Sequence, residues 1–245
     1  MNDSWQLTPF DTDIFGWNIA KINKIDPQNP QEDIRKILDE FIKENVQYAT
    51  YRLQASQFPV IHALEKSGFL LVDGLIALEY VIENREKIPE VAKNIREATI
   101  DDLDRLKKIA GMAFSLNRFY NDPLIPKEKA DDIYIRWIIN SVKKIAADNV
   151  FVWEEKGEIL GFITLQKSGH IPLIAVSNHA RGKGIAKKLI EGAIAECKKS
   201  GIAKIAIETQ ITNIPALRAY ISSGFKVTDS FLTYRWAGKK LESSL

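Results

Sequence analysis

The chain has 245 residues, 45% of them apolar, with 34 Lys and Arg against 32 Asp and Glu for a net charge of +2. That apolar share can fill one large domain or two small ones without staples, and the even charge leaves no nucleic-acid or membrane partner to expect. A single cysteine excludes an intramolecular disulfide, three scattered histidines (His62, His170, His179) make a metal site unexpected, and neither a signal-like N-terminus nor a membrane-length apolar run is present, so a cytoplasmic protein is expected.

In chain order, a strand-like region around residues 16 to 25 is followed by a Pro/Asn turn at 26 to 30. An amphipathic helix runs from Ile34 to Asn45 with Ile34, Ile37, Leu38, Phe41 and Ile42 on one face. A strand at Tyr48–Leu53, a short helix at Pro59–Ser67, a stop at Gly68 and a strand at Leu75–Val81 complete a first lobe, residues 1–82. Charged residues around Pro89 predict a linker at 83–94, and the second lobe takes 95–245.

The second lobe opens with Thr99 as N-cap and Asp102 three residues later, heading a helix to about Phe114. The polar and aromatic stretch Leu116–Pro126 predicts a loop, and Lys127–Ile145 a helix. Strands at Asn149–Glu155 and Glu158–Leu165 form a hairpin over Lys156-Gly157, followed by an apolar strand at Ile171–Val176. A helix from about Lys183 carries Ile185, Leu189, Ile190, Ala193, Ile194 and Cys197, the last read as a buried small hydrophobe. Ala203–Glu208 is a strand, Asn213–Ser223 a helix, and Phe225–Trp236 the closing strand.

The two lobes repeat. Tyr51 to Pro59 lies over Ile207 to Pro215, and Ser67-Gly68-Phe69 over Ser223-Gly224-Phe225, at the constant offset 224 − 68 = 156. The repeats differ where chemistry is expected: Tyr220 faces Leu64, Asn213 faces Gln57, and the first repeat has no basic glycine turn.

That turn is Ser-Asn-His-Ala-Arg-Gly-Lys-Gly-Ile-Ala, residues 177–186, between a strand and a helix. Unpaired N–H groups and the dipole at a helix start attract an anion such as a phosphate. Gly182 and Gly184 allow close approach to the backbone, Ala186 keeps the next turn slim, and Arg181 and Lys183 add positive charge. Downstream, Asn213, Ala216 and Tyr220 are spaced to share one helix face.

The segment Arg181 to Ala186 resembles the pyrophosphate loop of the GCN5-related N-acetyltransferase (GNAT) family, Arg/Gln-x-x-Gly-x-Gly/Ala, and Asn213 to Phe225 resembles its second signature, Asn-x-x-Ala-x-x-x-Tyr followed by Gly-Phe. The resemblance implies an α/β GNAT fold, a mixed and mostly antiparallel sheet flanked by helices, with a smaller, truncated, related lobe before it. It implies acetyl-CoA as cosubstrate, held by strand N–H groups at Ile174 and Val176, by Arg181, Gly182, Lys183, Gly184, Ile185 and Ala186, and by Asn213 and Ala216 on the pantetheine arm. Tyr220 is then the acid for the departing thiolate, with no covalent enzyme intermediate and no metal.

Five further segments, Phe10–Gly16, Gly68–Gly74, Asn117–Phe119, Tyr134–Asn140 and Thr209–Asn213, resemble the branch of the family that acetylates nucleotide-linked amino sugars. In that resemblance Asp73 draws the proton from the amine, directly or through water; on spacing alone Asp73-Gly74 reads equally as a turn. Arg118 meets the nucleotide's phosphates or caps a neighbouring element, and Phe119, Tyr120 and Tyr134 stack on the acceptor or pack in the core. A different small amine or peptide N-terminus as acceptor, a non-catalytic acyl-CoA-binding module, and a homodimer all remain open.

Overall fold

The computed structural model describes residues 3–83, 87, 89–114 and 116–242. Along the chain run β1 (Trp5–Leu7), α1 (Pro9–Phe15), β2 (Ile19–Ile22), α2 (Pro30–Lys43), β3 (Tyr48–Gln54), α3 (Phe58–Lys66) and β4 (Leu70–Val81). There follow β5 (Ile95–Glu97), α4 (Leu103–Ala113), α5 (Arg118–Asn121), α6 (Lys127–Val142), β6 (Asn149–Glu155), β7 (Glu158–Leu165), β8 (His170–Ile171) and β9 (Ile174–Val176). The chain closes with α7 (Ile185–Lys199), β10 (Lys204–Gln210), α8 (Ile214–Ser222), β11 (Lys226–Ala237) and α9 (Lys239–Glu242). This is the α/β architecture the resemblance implied, and no described helix is long and apolar enough to cross a membrane.

The chain divides into two compact units: residues up to Leu75 with Leu116–Ala130 and the part from Ser230 on, and Ile76–Ser115 with Asp131–Asp229. The linker expected at 83–94 falls in part on residues 84–86 and 88, which lie outside the described residues.

In the first unit β1 pairs antiparallel with β2, β2 parallel with β3, and β3 antiparallel with β11. Side chains alternate across a strand. One face therefore carries Ala20, Ile22, Ala49, Tyr51, Leu53 and Tyr234, packed with Ile34, Ile37 and Phe41 of α2 and Val60, Ile61 and Leu64 of α3. Burying each of the Ile, Leu, Val and Phe side chains contributes ~1.5–3 kcal/mol, which is why the apolar stripes of α2 and α3 settle here. On the opposite face, which also carries the buried Ile19 and Tyr48, register places Gln6, Lys21, Thr50 and Arg235 in one row.

In the second unit β5, β6, β7 and β9 form an antiparallel sheet in that order, while β8 pairs parallel with β10. The hairpin turn is Lys156-Gly157 as expected, both at positive φ (53° and 78°), the mirror-image turn whose twist matches the flanking strands. The α7 stripe of Ile185, Leu189, Ile190, Ala193, Ile194 and Cys197 packs with Leu160, Ile163, Ile205, Ile207 and Phe225. Cys197 is fully buried and its thiol is pushed up to about 11 by desolvation. A native chain treated with an aromatic disulfide reagent is therefore expected to release no chromophore over minutes, against one equivalent in denaturant; prompt labelling would contradict this burial.

The repeat is structural as well as sequential. Bounds of β3 and β10, α3 and α8, and β4 and β11 are all related by the same shift, as in 204 − 48 = 156, 214 − 58 = 156 and 226 − 70 = 156.

Four expectations are corrected. The region 16 to 25 holds only the short β2, because Pro9 at the first turn and Asp11 start α1, which Gly16 ends at φ 74° with its N–H donated to the Thr12 carbonyl. The stretch 116–126 contains α5, capped by Asn117, whose side chain accepts the Phe119 N–H at 2.9 Å. The run Ile171–Val176 is two strands, β8 and β9, in different sheets; Pro172 between them has no N–H for a ladder. Asp73-Gly74 is no turn, since both lie inside β4.

Candidate active site

The split at Pro172 creates the first feature of the site. On β9, the Ser177 N–H bonds to the Leu160 carbonyl and the Leu173 carbonyl accepts the Thr164 N–H, so alternate residues face β7. Ile174 and Val176 therefore direct their backbone groups the other way, along the edge of the four-stranded sheet. These are the two strand positions expected to serve a thioester or its pantetheine arm.

The chain then runs through a single turn at Asn178–Ala180 into Arg181, Gly182, Lys183 and Gly184, all exposed. Gly182 and Gly184 sit at φ 78° and 76°, and a Cβ at either would meet nothing within 4 Å. Their requirement is thus the left-handed backbone rather than crowding. Gly184 is the N-cap of α7; the helix start has no side-chain cap and no acidic residue in its first turn, and its first backbone bond is Lys188 N–H to the Gly184 carbonyl. The N–H groups of Ile185, Ala186 and Lys187 precede that bond, so they have no intrahelical partner and are available to an anion.

The corresponding helix start in the first repeat is different in kind. Pro30 opens α2 without an N–H, Glu32 and Asp33 occupy its first turn, and Asp33 Oδ2 accepts the Asp26 N–H at 2.9 Å. The Asp26 carboxylate in turn accepts the Gln28 N–H at 2.9 Å. Carboxylates at this end hold the loop ahead of the helix and repel a further anion.

In the same unit as the glycine loop, Asn213 is the N-cap of α8 rather than a residue within it: its Oδ1 accepts the Ala216 N–H at 3.4 Å and its Nδ2 donates to Thr209 Oγ1 at 3.2 Å. It is half-buried, as is Ala216. Tyr220 is 5% exposed, its ring 6.2 Å from that of Phe225, and desolvation holds its phenol above the ordinary tyrosine value, so the group is a protonated donor. Tyr134, also in this unit, is buried and stacked on Phe114 at 4.4 Å, which is the core-packing alternative.

The remaining sequence candidates lie in the first unit. Asp73 is 8% exposed in mid-strand β4. Phe119 is buried, stacked 6.0 Å from Phe15, with the Arg118 guanidinium 4.4 Å over its ring. Arg118 donates to Thr50 Oγ1 at 3.2 Å and lies 3.9 Å from Asp11.

Sequence reasoning did not single out Asp122, which organises this turn. Its carboxylate, wholly buried, accepts the Tyr48 hydroxyl at 2.8 Å and the Leu124 N–H at 3.0 Å, and stands 3.4 Å from Arg235 Nε. Burial and that carboxylate hold the Tyr48 phenol above its usual range, as a donor. Only a carboxylate followed by Pro123 marks the place in the sequence.

A family model described as an acetyltransferase (GNAT) domain matches residues 140–235. The chain is 28% identical over 143 residues to the spore coat polysaccharide biosynthesis protein SpsD of Bacillus subtilis, covering 57% of this chain and 49% of that one, so it spans about half of SpsD. It is 26% identical over 190 residues to dTDP-fucosamine acetyltransferase of Escherichia coli, covering 75% of this chain and 80% of that one. Among solved structures, a GCN5-related N-acetyltransferase from Sphaerobacter thermophilus superposes with a TM-score of 0.63 at 16% identity, over 89% of this chain and 72% of that one, a likeness of fold.

Proposed function

We propose, for a chain that carries a GNAT acetyltransferase domain, direct transfer of acetyl from acetyl-CoA to the amine of a nucleotide-linked amino sugar. The observation that carries the donor half is an edge strand, β9, running into a glycine turn and an uncapped, acid-free helix start. The acceptor class is supported by dTDP-fucosamine acetyltransferase and SpsD at 26% and 28% identity.

In this mechanism the pyrophosphate of acetyl-CoA lies on the N–H groups of residues 182–187 with Arg181 and Lys183 beside it. The thioester lies along β9, where the outward N–H of Ile174 or Val176 stabilises the oxyanion that develops on its carbonyl. Asn213 and Ala216 flank the pantetheine arm. The acceptor amine attacks the carbonyl carbon, a C–N bond forms, and the amine's proton passes to Asp73, directly or through water. The C–S bond then breaks and Tyr220 gives its proton to the thiolate. Arg118 engages the acceptor's phosphates, while Phe119 and Tyr134 shape its surroundings from within their own cores. Nothing in the scheme draws on a metal.

The test is release of CoA thiol when the purified chain meets acetyl-CoA and a panel of amines including dTDP-4-amino-4,6-dideoxyhexoses. The silent Cys197 keeps the thiol background low. Release with the sugar nucleotides is expected. Release only with peptide N-termini or other small amines would move the acceptor, and tight CoA binding without release on any amine would make the chain an acyl-CoA-binding module.

A further inference from the structure

We propose that Thr209 is a positioning residue for the donor site: its hydroxyl takes one hydrogen of the Asn213 side-chain amide and so holds the other for an amide carbonyl of the pantetheine arm. This role rests on the placement of acetyl-CoA proposed above.

The orientation of the amide follows from its partners. Oδ1 accepts the Ala216 N–H at 3.4 Å, so the oxygen faces the helix start and Nδ2 turns the other way, donating to Thr209 Oγ1 at 3.2 Å. The cap bond is long against the usual range of about 2.7–3.2 Å, and alone it would hold the side chain loosely. The second contact is what fixes the amide plane. Nδ2 carries two hydrogens and Thr209 takes one; Asn213 is half-buried, so the other is left for a ligand. Thr209 is 5% exposed, on the face of β10 that also buries Ile205 and Ile207. A hydroxyl in that apolar row needs a partner, and among the described residues Asn213 is the one it has.

The first repeat builds the same turn without this pair. At the constant offset, 209 − 156 = 53 and 213 − 156 = 57, stand Leu53 and Gln57. Gln57 is the N-cap of α3 at φ −83° and ψ 57°, against −85° and 63° for Asn213, and both helices are nine residues long. The backbone bonds also correspond: Gln57 and Phe58 donate to the Gln54 and Ser56 carbonyls, as Asn213 and Ile214 donate to those of Gln210 and Thr212. Yet Gln57 makes no side-chain cap bond, and Leu53 is a buried apolar residue with nothing to accept a proton. Strand, turn and helix therefore form without a hydroxyl-to-amide contact. It occurs in the repeat that carries the glycine turn, so its use lies at the ligand rather than in the fold.

The experiment is calorimetric titration of the full chain with CoA and with 3′-phospho-ADP, which keeps the phosphates of CoA and lacks its pantetheine arm. Thr209→Val keeps the shape of the side chain and removes the hydroxyl; it is expected to weaken CoA about three- to tenfold, the worth of one hydrogen bond, and to leave 3′-phospho-ADP within about twofold. Thr209→Ser should restore CoA affinity, and Thr209→Val added to Asn213→Ala should cost less than about twofold beyond Asn213→Ala alone. Should Thr209→Val fold poorly, Asn213→Asp carries the test: its carboxylate still caps α8 but donates nothing, and it too should weaken CoA while sparing 3′-phospho-ADP. Unchanged CoA affinity in either variant, or an equal loss for CoA and 3′-phospho-ADP, would overturn the role and leave the donor site standing. A wild-type chain that binds CoA no tighter than 3′-phospho-ADP would remove the pantetheine contact, and with it both the role and the placement of the arm. The titration uses no acceptor amine, so it reads the same whatever the acceptor.

Discussion

Replacing Tyr220 by phenylalanine is expected to lower kcat by about 10²- to 10⁴-fold, the usual worth of a positioned proton donor, while acetyl-CoA affinity stays within about threefold. The side chain is 5% exposed and packs 6.2 Å from Phe225, contacts that phenylalanine keeps, so the loss falls on the hydroxyl rather than on the core. Two further readouts isolate the proton. An acetyl thioester of a thiol much more acidic than CoA needs less help in leaving, so the variant's defect should shrink on it. Desolvation raises the Tyr220 phenol, and an acid works only while protonated; its contribution is present below that raised value and lost as pH climbs through it. Any alkaline limb due to Tyr220 therefore lies above pH ~10, the ordinary value, and vanishes in the variant. A variant with wild-type turnover on acetyl-CoA would take Tyr220 out of the mechanism.

Gly184→Asp separates anion binding from stability. Position 184 is the N-cap of α7 at φ 76°, with space around it and no side-chain cap. Aspartate tolerates the left-handed region better than most residues, and its carboxylate can accept from the same N–H groups that a pyrophosphate needs. The helix start is thereby satisfied internally and made acidic, as the first turn of α2 already is with Glu32 and Asp33. Melting temperature is expected to hold within about 3 °C, while acetyl-CoA affinity falls by about tenfold to a hundredfold from repulsion and competition for the donors. Equal affinity in variant and wild type would mean that the cofactor's phosphates bind elsewhere. A large drop in melting temperature would show that the loop needs glycine for folding.

The two signatures were legible because each is local. Residues 181–186 and 213–225 carry the family's pattern in spacing along the chain, and the helix after the glycine turn and the turn at Lys156-Gly157 follow from short-range backbone preference. The repeat offset of 156 was equally visible, and it matches three pairs of elements residue for residue. Periodicity also located Cys197 and the α7 stripe in the core.

What stayed hidden depends on partners distant in the chain. An apolar run from Ile171 to Val176 reads as one strand until β10 claims its first two residues and β7 its last three, leaving Ile174 and Val176 with their outer backbone groups at a sheet edge. Asp122 looks like a turn residue, yet Tyr48 and Arg235, 74 and 113 residues away, make it a buried anchor. Lys21 and Thr50 are unremarkable in sequence and become neighbours only when parallel pairing of β2 with β3 sets them side by side, the threonine hydroxyl accepting from Arg118. Thus the sequence by itself determined most of the elements, the repeat and the glycine turn ahead of α7, since these rest on 3.6- and 2-residue periods and on glycine's backbone freedom. Tertiary structure alone decided which strand edge is open and which charges stand together, because strand register is set by partners the local sequence does not contain.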